Sequence, residues 1–465
     1  MRSTILDNSN PRKGISVEVY PAYGTAMVII AVFLAHFLSG KFDPFEPIWM
    51  FLVGYVQIYV FQAINYHDWA VQARGTQMVM TANVRALWAL VWFMVVYHCG
   101  ITKLFARRLP NPPMKWSPGI VCLMSPFLIL WGCIGAGLLL RGGAIGGEVT
   151  PEGALLASFP FVMLVGAVLL IVTGRSGEKN RPVFTALGLA IGVFYIMIWM
   201  FNGKRSHSLM GVLTTVCAYY ITRLRRPSWP VLITTAFAGA LSVSIAIGWR
   251  FERQRGRDGA EFFTFLSEFD MGTILRNMNI EGDEDTGRAI SHETEEYGGF
   301  LVILTAVPSM SEYDYGASYL RTFSTFIPRI IWPSKPYYGR EQWINAWIAG
   351  SEFKRDSKFT GPAIGIHGAT QLNGGAVGTA IVFACVALFL RTSYDYFRLY
   401  AHVPWVQAWW AVFFFNAWFM VVTDDPMVWF YYNWGFTSMP FLVLLWFVNK
   451  AGRAPGDVPV AAYAA

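Results

Sequence analysis

Charge is scarce in this 465-residue chain: Asp, Glu, Lys and Arg together make up 14% of it, against roughly a quarter in a soluble globular domain. An ordinary water-solvated enzyme is thereby excluded. Cysteine is scarcer still. The five, Cys99, Cys122, Cys133, Cys217 and Cys385, fall inside or at the ends of apolar runs, with no CxxC pair and no Cys/His cluster, which argues against a disulfide framework and against structural zinc. An apolar leader is lacking too, because MRSTILDNSNPRKGISVEVY is polar, so the first spanning helix is expected to direct insertion.

Apolar residues are abundant. Hydrophobic residues make up 55% of the chain and aromatic ones 16%, and they come in long runs broken by short basic clusters, the pattern of a polytopic membrane protein. The expected fold class is all-α, an integral membrane protein with about eleven transmembrane helices (roughly ten to twelve), since about 20 apolar residues cross the hydrocarbon core. The runs lie near 23–40, 46–65, 84–101, 119–140, 154–173, 183–201, 207–222, 230–249, 372–390, 404–422 and 427–448. Three parts follow: a bundle over 1–250, a long polar segment over 251–371 with only short apolar pieces such as GFLVILTAV, and a closing bundle with its tail over 372–465.

Lys and Arg in short loops orient the spans. By alternation Lys103/Arg107/Arg108/Lys115, Arg175/Lys179/Arg181, Arg223/Arg225/Arg226, Arg391/Arg398 and Lys450/Arg453 share one face, taken as cytoplasmic together with the C-terminus. The segment 251–371 is then external. It holds 17 acidic and 12 basic residues, while the rest of the chain holds 12 acidic and 24 basic, so the net +7 reflects cytoplasmic loops and not a nucleic-acid surface. Eleven spans would leave the N-terminus outside, whereas Arg2, Arg12 and Lys13 favour inside.

The external segment opens at Arg250 and Glu252 and runs into EFFTFLSEFDMGTILRNM, whose Phe262, Phe265, Leu266, Phe269 and Leu275 approximate a helical stripe suited to a membrane surface or a bundle. The acidic patch Glu281-Gly-Asp283-Glu284-Asp285 lacks EF-hand spacing and reads as a solvated loop. Further on, Pro328, Pro333 and Pro336 accompany Arg321, Arg329, Lys335 and Arg340. Proline prevents a continuous helix, so these cations are expected on a rigid path near the membrane, where Arg suits the oxygens of a diphosphate. The short turn Asn202-Gly-Lys204-Arg205-Ser-His207 is expected on the same side, bringing Arg205 near Arg250. The segment closes with GPAIGIHGATQLNGGAVG around His367.

These residues carry a family likeness. Tyr315-Gly-Ala-Ser318-Tyr319, followed by Phe326-Ile-Pro-Arg329-Ile-Ile-Trp332-Pro-Ser-Lys335-Pro336, resembles a signature of bacterial oligosaccharide repeat-unit polymerases, the O-antigen polymerase (Wzy-type) family. The likeness covers the second half of the chain. It implies a membrane glycosyltransferase of the cell envelope, GT-C-like by analogy, in the bacterial inner membrane. Such an enzyme joins undecaprenyl-diphosphate-linked repeat units on the outer face, without a cofactor or metal. The implied partners are the lipid-linked donor and acceptor, membrane lipid, a chain-length regulator and a flippase, with no nucleic acid.

Carried onto this chain, the resemblance points to Arg329 and Lys335 for the diphosphate, with Arg205 at the turn. Residue chemistry adds Arg250, Arg321 and Arg340 as further cations, and Trp332 and Tyr338 as sugar-stacking rings. Candidates for proton transfer are His367, Glu252 and Asp424, the last in the Asp424-Asp425-Pro426 turn. Each has a plainer reading: span-end cations anchor headgroups, Glu252 pairs locally with Arg255, and acids at span ends cap helices. Two other functions compete. A transferase using a polyprenyl-phosphate sugar typically has an acidic pair in its first external loop, but Asp43 and Glu46 are expected on the cytoplasmic face. A lipid-linked saccharide transporter calls for internal repeats and mid-span ionisable residues, neither of which the runs display.

Overall fold

The structure, a computed structural model, describes residues 16–141, 151–176, 181–254, 256–269, 296–324, 331–334, 364–423 and 438–450. Among them every regular element is helical. In chain order they are α1 (Tyr20–Leu38), α2 (Pro47–Asn65), α3 (His67–Arg74), α4 (Thr76–Tyr97), α5 (Thr102–Arg108), α6 (Pro118–Arg141), α7 (Pro151–Arg175), α8 (Pro182–Phe201) and α9 (Arg205–Ile221). Then follow α10 (Trp229–Gln254), α11 (Phe262–Glu268), α12 (Glu296–Ala306), α13 (Ala317–Ser324), α14 (Gly365–Leu399), α15 (Pro404–Phe413), α16 (Asn416–Val422) and α17 (Met439–Lys450).

Eight helices among the described residues are long and apolar enough to cross a membrane. The sequence leads one to expect about eleven, and the remaining three places carry α7, α9 and α17. The outer helices turn apolar side chains outward: Met27, Ile30 and Leu34 on α1, Leu123, Phe127 and Leu130 on α6, and Val183 and Val193 on α8 are all exposed. In water so broad an apolar surface would drive association; against lipid tails it is the solvated face. The opposite extreme is the pair α15 and α16, wholly buried at the centre, where Trp410 stacks on Phe397 of α14 with ring centroids 4.7 Å apart.

One end of the bundle is tied by charge. Arg391 of α14 reaches Glu46 at 2.8 Å and Asp395 at 3.3 Å; Tyr97 donates to Glu46 at 2.9 Å and Tyr394 to Asp43 at 2.7 Å. Burial holds the Glu46 carboxyl above its ordinary pKa, although Arg391 and the Tyr97 hydrogen bond act against the shift. Asp43 and Glu46 thus lie on the Arg391 side, where the loop pattern put them, and both are engaged in bracing the fold.

The segment 251–371 departs from its expected character as a loop outside the bundle. Its start does pack at a helix end: Phe262 and Phe265 of α11 close over Trp249, with centroids 5.1 and 5.4 Å away. Its middle does not stay outside. Helix α12 is buried along nearly its whole length, and 364–373 is buried as well. The physical reason is composition, because GFLVILTAV carries no charge to hold it in water and finds an apolar slot between α4 and α14.

Helix α14 is broken at Gly374 and Gly375. The break reverses direction: Thr370 faces Thr379 with hydroxyls 3.0 Å apart, and the His367 ring lies 4.8 Å from Phe383. In a straight helix residues 367 and 383 would stand about 24 Å apart. The two limbs therefore form a hairpin whose tip is Gly374-Gly375. Gly375 has φ +59, and a Cβ there would stand 2.7 Å from the Tyr313 hydroxyl, so both conformation and space call for glycine.

Candidate functional site: a polar cage around His367

The short limb of α14 carries His367 and Gln371 on one face, one helical turn apart. His367 is fully buried. Its imidazole sits among Tyr55, Tyr59, Phe300 and Phe383, with centroids between 4.6 and 5.8 Å from its own. The Tyr55 hydroxyl donates to the Ala86 carbonyl at 2.6 Å and lies 2.7 Å from His367 Nε2. A phenol has one proton to give. With that proton on Ala86, Nε2 must donate to Tyr55, which makes His367 the Nε2–H tautomer and leaves a lone pair on Nδ1. That Nδ1 is buried and has no hydrogen-bond partner among the described residues.

The floor of the cage comes from an irregular stretch of α2. Residues Gln57–Gln62 adopt π-helical geometry, a local widening that often marks functional sites. It brings in Tyr59, whose oxygen accepts from the His367 backbone N–H at 3.3 Å, and Gln62, which donates to Glu296 at 2.7 Å and accepts from the Tyr297 N–H at 3.0 Å. Tyr297 in turn donates to Asn83 at 2.7 Å. The otherwise apolar α12 thus enters the bundle with its polar end held by α2 and α4.

Arg85 is the unexpected member. The apolar run beginning at 84 would place it at a span end, but α4 starts at Thr76. Arg85 therefore lies about 14 Å along the helix from one end and about 18 Å from the other. Its guanidinium donates to Gln371 Oε1. Gln371 donates on to the Val307 carbonyl at 2.6 Å. The expectation of no ionisable residue at mid-span is corrected here: apolar neighbours such as Val84, Ala86 and Leu87 let the helix run on past a single charge. A lone Arg inside a longer apolar pattern was the available signal.

The hairpin tip is joined to the segment bearing the family likeness. Asn373 Oδ1 accepts from the Gly316 N–H at 3.0 Å and from the Ser318 hydroxyl at 2.8 Å, and the Asp314 N–H donates to the Leu372 carbonyl at 2.8 Å. The stretch 314–318 is thereby fastened to the hairpin tip.

The other predicted residues fall in three groups. Arg205 begins α9 and Arg250 lies in α10; the turn between α8 and α9 rests on α10, where a Cβ on Gly203 would meet the Arg250 Cβ at 2.8 Å. The structure thus brings the turn of Arg205 and the helix end of Arg250 together. Glu252 is drawn into a cluster with Glu261 and Glu268 around Arg257, at 3.5, 3.0 and 2.8 Å; the carboxylates of Glu268 and Glu261 push the Arg257 pKa further up. The pair expected for Glu252, with Arg255, lies outside the described residues; the arginine it meets among them is Arg257. Trp332 is partly exposed and donates to Ser334 at 3.0 Å. Arg329, Lys335, Arg340, Tyr338 and Asp424 lie outside the described residues, as do the side chain of Arg321 and the acidic patch 281–285.

Among the described residues no three His, Cys, Asp or Glu side chains gather as a metal site requires. The polar groups that do gather, a guanidinium that donates and an imidazole lone pair that accepts, suit an anion and a hydroxyl. Comparison with protein-family models, curated proteins and solved structures finds no match to this chain.

Proposed function

We propose that this membrane protein is a glycosyltransferase that joins lipid-linked oligosaccharide units, a polysaccharide polymerase of the O-antigen type, with its reaction centre at the outer part of the bundle. The observation that carries the reading is the attachment of the family-like string to the cage: Gly316 and Ser318 hang on Asn373, six residues from His367. In this reading the motif cations Arg329 and Lys335 serve the diphosphate and His367 serves the acceptor.

The chemistry follows from those groups. An acceptor hydroxyl attacks the anomeric carbon of the donor; its C–O bond forms as the bond to the diphosphate oxygen breaks, and the electron pair leaves with the lipid diphosphate. Arginines neutralise the charge developing there. The acceptor proton goes to an imidazole lone pair such as Nδ1 of His367.

A second reading, a transporter of lipid-linked saccharides, is favoured by Arg85 at mid-span and by the broken helix, both familiar in carriers. One experiment separates the two. A host deleted for this gene is expected to lose its polysaccharide ladder and to accumulate single repeat units outside the membrane. Accumulation of those units on the cytoplasmic side would favour the transporter, and an unchanged ladder would reject both.

A further inference from the structure

Three arginines in this protein face very different company. Arg257 is ringed by three carboxylates and Arg391 by two. Arg85, in the middle of a 22-residue apolar helix, has no carboxylate within ion-pair distance among the described residues, and its hydrogen-bonding partner is the neutral amide of Gln371. A cation at that depth is costly unless paired, and such residues mark ligand or ion pathways.

A second observation points the same way. One turn from Gln371 on the same helix face, Nδ1 of His367 offers a lone pair in a fully buried position with no donor to receive among the described residues. Two polar groups of one cage therefore lack complements, one needing negative charge and the other a proton donor. Arg85 is also only partly buried.

We infer that Arg85 is an anion-binding residue inside the bundle, and that the anion it receives is a phosphate or diphosphate group. The guanidinium fork matches phosphate oxygens, and a sugar phosphate supplies both missing complements, anionic oxygens for Arg85 and a hydroxyl for His367. The choice of phosphate over another anion rests on the glycosyltransferase reading; the existence of an anion site does not.

The test uses the full-length protein in detergent, with farnesyl diphosphate, inorganic diphosphate and farnesol as probes. Farnesyl diphosphate is expected to bind and raise the unfolding temperature, and Arg85→Gln to weaken that binding by about tenfold to a hundredfold, with Arg85→Lys in between. Inorganic diphosphate binding with the same Arg85 dependence supports a site open to free anions; dependence confined to farnesyl diphosphate supports one that admits the anion on its lipid. Equal binding by wild type and Arg85→Gln, or equal binding of farnesol, overturns the inference. Without ligand, Arg85→Gln is expected to be at least as stable as wild type, because a mid-span charge with no carboxylate partner among the described residues has been removed; a less stable variant would make Arg85 a structural residue and sink the idea. The glycosyltransferase reading fails separately: a ladder unchanged by gene deletion rejects it while Arg85-dependent binding stands, whereas a ladder lost on deletion yet restored in full by Arg85→Gln rejects the Arg85 site alone.

Discussion

Tyr55 and His367 are 312 residues apart in sequence and share one hydrogen bond of 2.7 Å in the centre of the bundle. Because the Tyr55 proton is committed to Ala86, this bond sets which imidazole nitrogen carries the hydrogen. Tyr55→Phe is expected to free that choice and to leave Nε2 without a partner. The stability loss should be about 1–2 kcal/mol, and under the proposed glycosyltransferase function transfer activity should fall more than binding of the donor. Thermal unfolding in detergent and polymer length in cells check the two halves. Equal loss of donor binding and activity would show that Tyr55 only holds the cage together.

His367→Gln keeps the side chain polar but removes the basic lone pair. Polymer length should collapse while the protein accumulates normally in the membrane. A full-length ladder from the Gln variant would remove His367 from the chemistry.

Glu46 and Arg391 should respond with opposite signs. A carboxyl whose pKa is raised by burial binds its proton more tightly folded than unfolded. Its contribution therefore favours the fold most at low pH and is lost as pH rises from the ordinary carboxyl value of 4.5 through the raised one. Glu46→Gln is thus expected to be neutral or slightly stabilising at pH 7, with its advantage over wild type vanishing toward pH 4. Arg391→Gln leaves Glu46 and Asp395 buried without their cation, at a cost of about 3–5 kcal/mol. Unfolding curves of both variants between about pH 4 and pH 8 test the sign; an Arg391→Gln protein as stable as wild type at pH 7 would contradict it.

The hairpin tip should resist any side chain. Gly375→Ala introduces a Cβ at φ +59 and within 2.7 Å of the Tyr313 hydroxyl, with an expected loss of about 1–3 kcal/mol. Adding Tyr313→Ala should recover the steric part and leave the conformational part. Full recovery in the double variant would mean that strain at φ contributes nothing.

Asn373 joins the tip to 314–318 through two accepted hydrogen bonds. Asn373→Ala should release that stretch, seen as faster limited proteolysis near 308–320 with the transmembrane core intact. Unchanged cleavage would show that the Asp314 to Leu372 backbone bond suffices.

Much of the architecture is legible in the chain. Apolar runs near 23–40, 46–65, 183–201 and 230–249 coincide with α1, α2, α8 and α10, because residue-by-residue hydrophobicity is what lipid selects. The candidate site was legible only in part. His367 stands out by type, and Gly374-Gly375 by composition, yet nothing local places His367 beside Tyr55. Arg85 does not stand out in the sequence, because a hydropathy window dilutes one charge among apolar neighbours.

What the sequence by itself determined is solvent preference: which segments leave water, which loops hold cations, and that the whole is a helical membrane protein. Those are sums over neighbouring side chains and need no partner. What only the tertiary structure decided is pairing and direction. The reversal of α14 at Gly375, the burial of α12, the tautomer of His367 and the pairing of Arg85 with a neutral amide all depend on groups that the fold brings together from outside their own helical turn. Hydrogen bonds and ion pairs are short-ranged and directional, so their outcome exists only once the helices have packed.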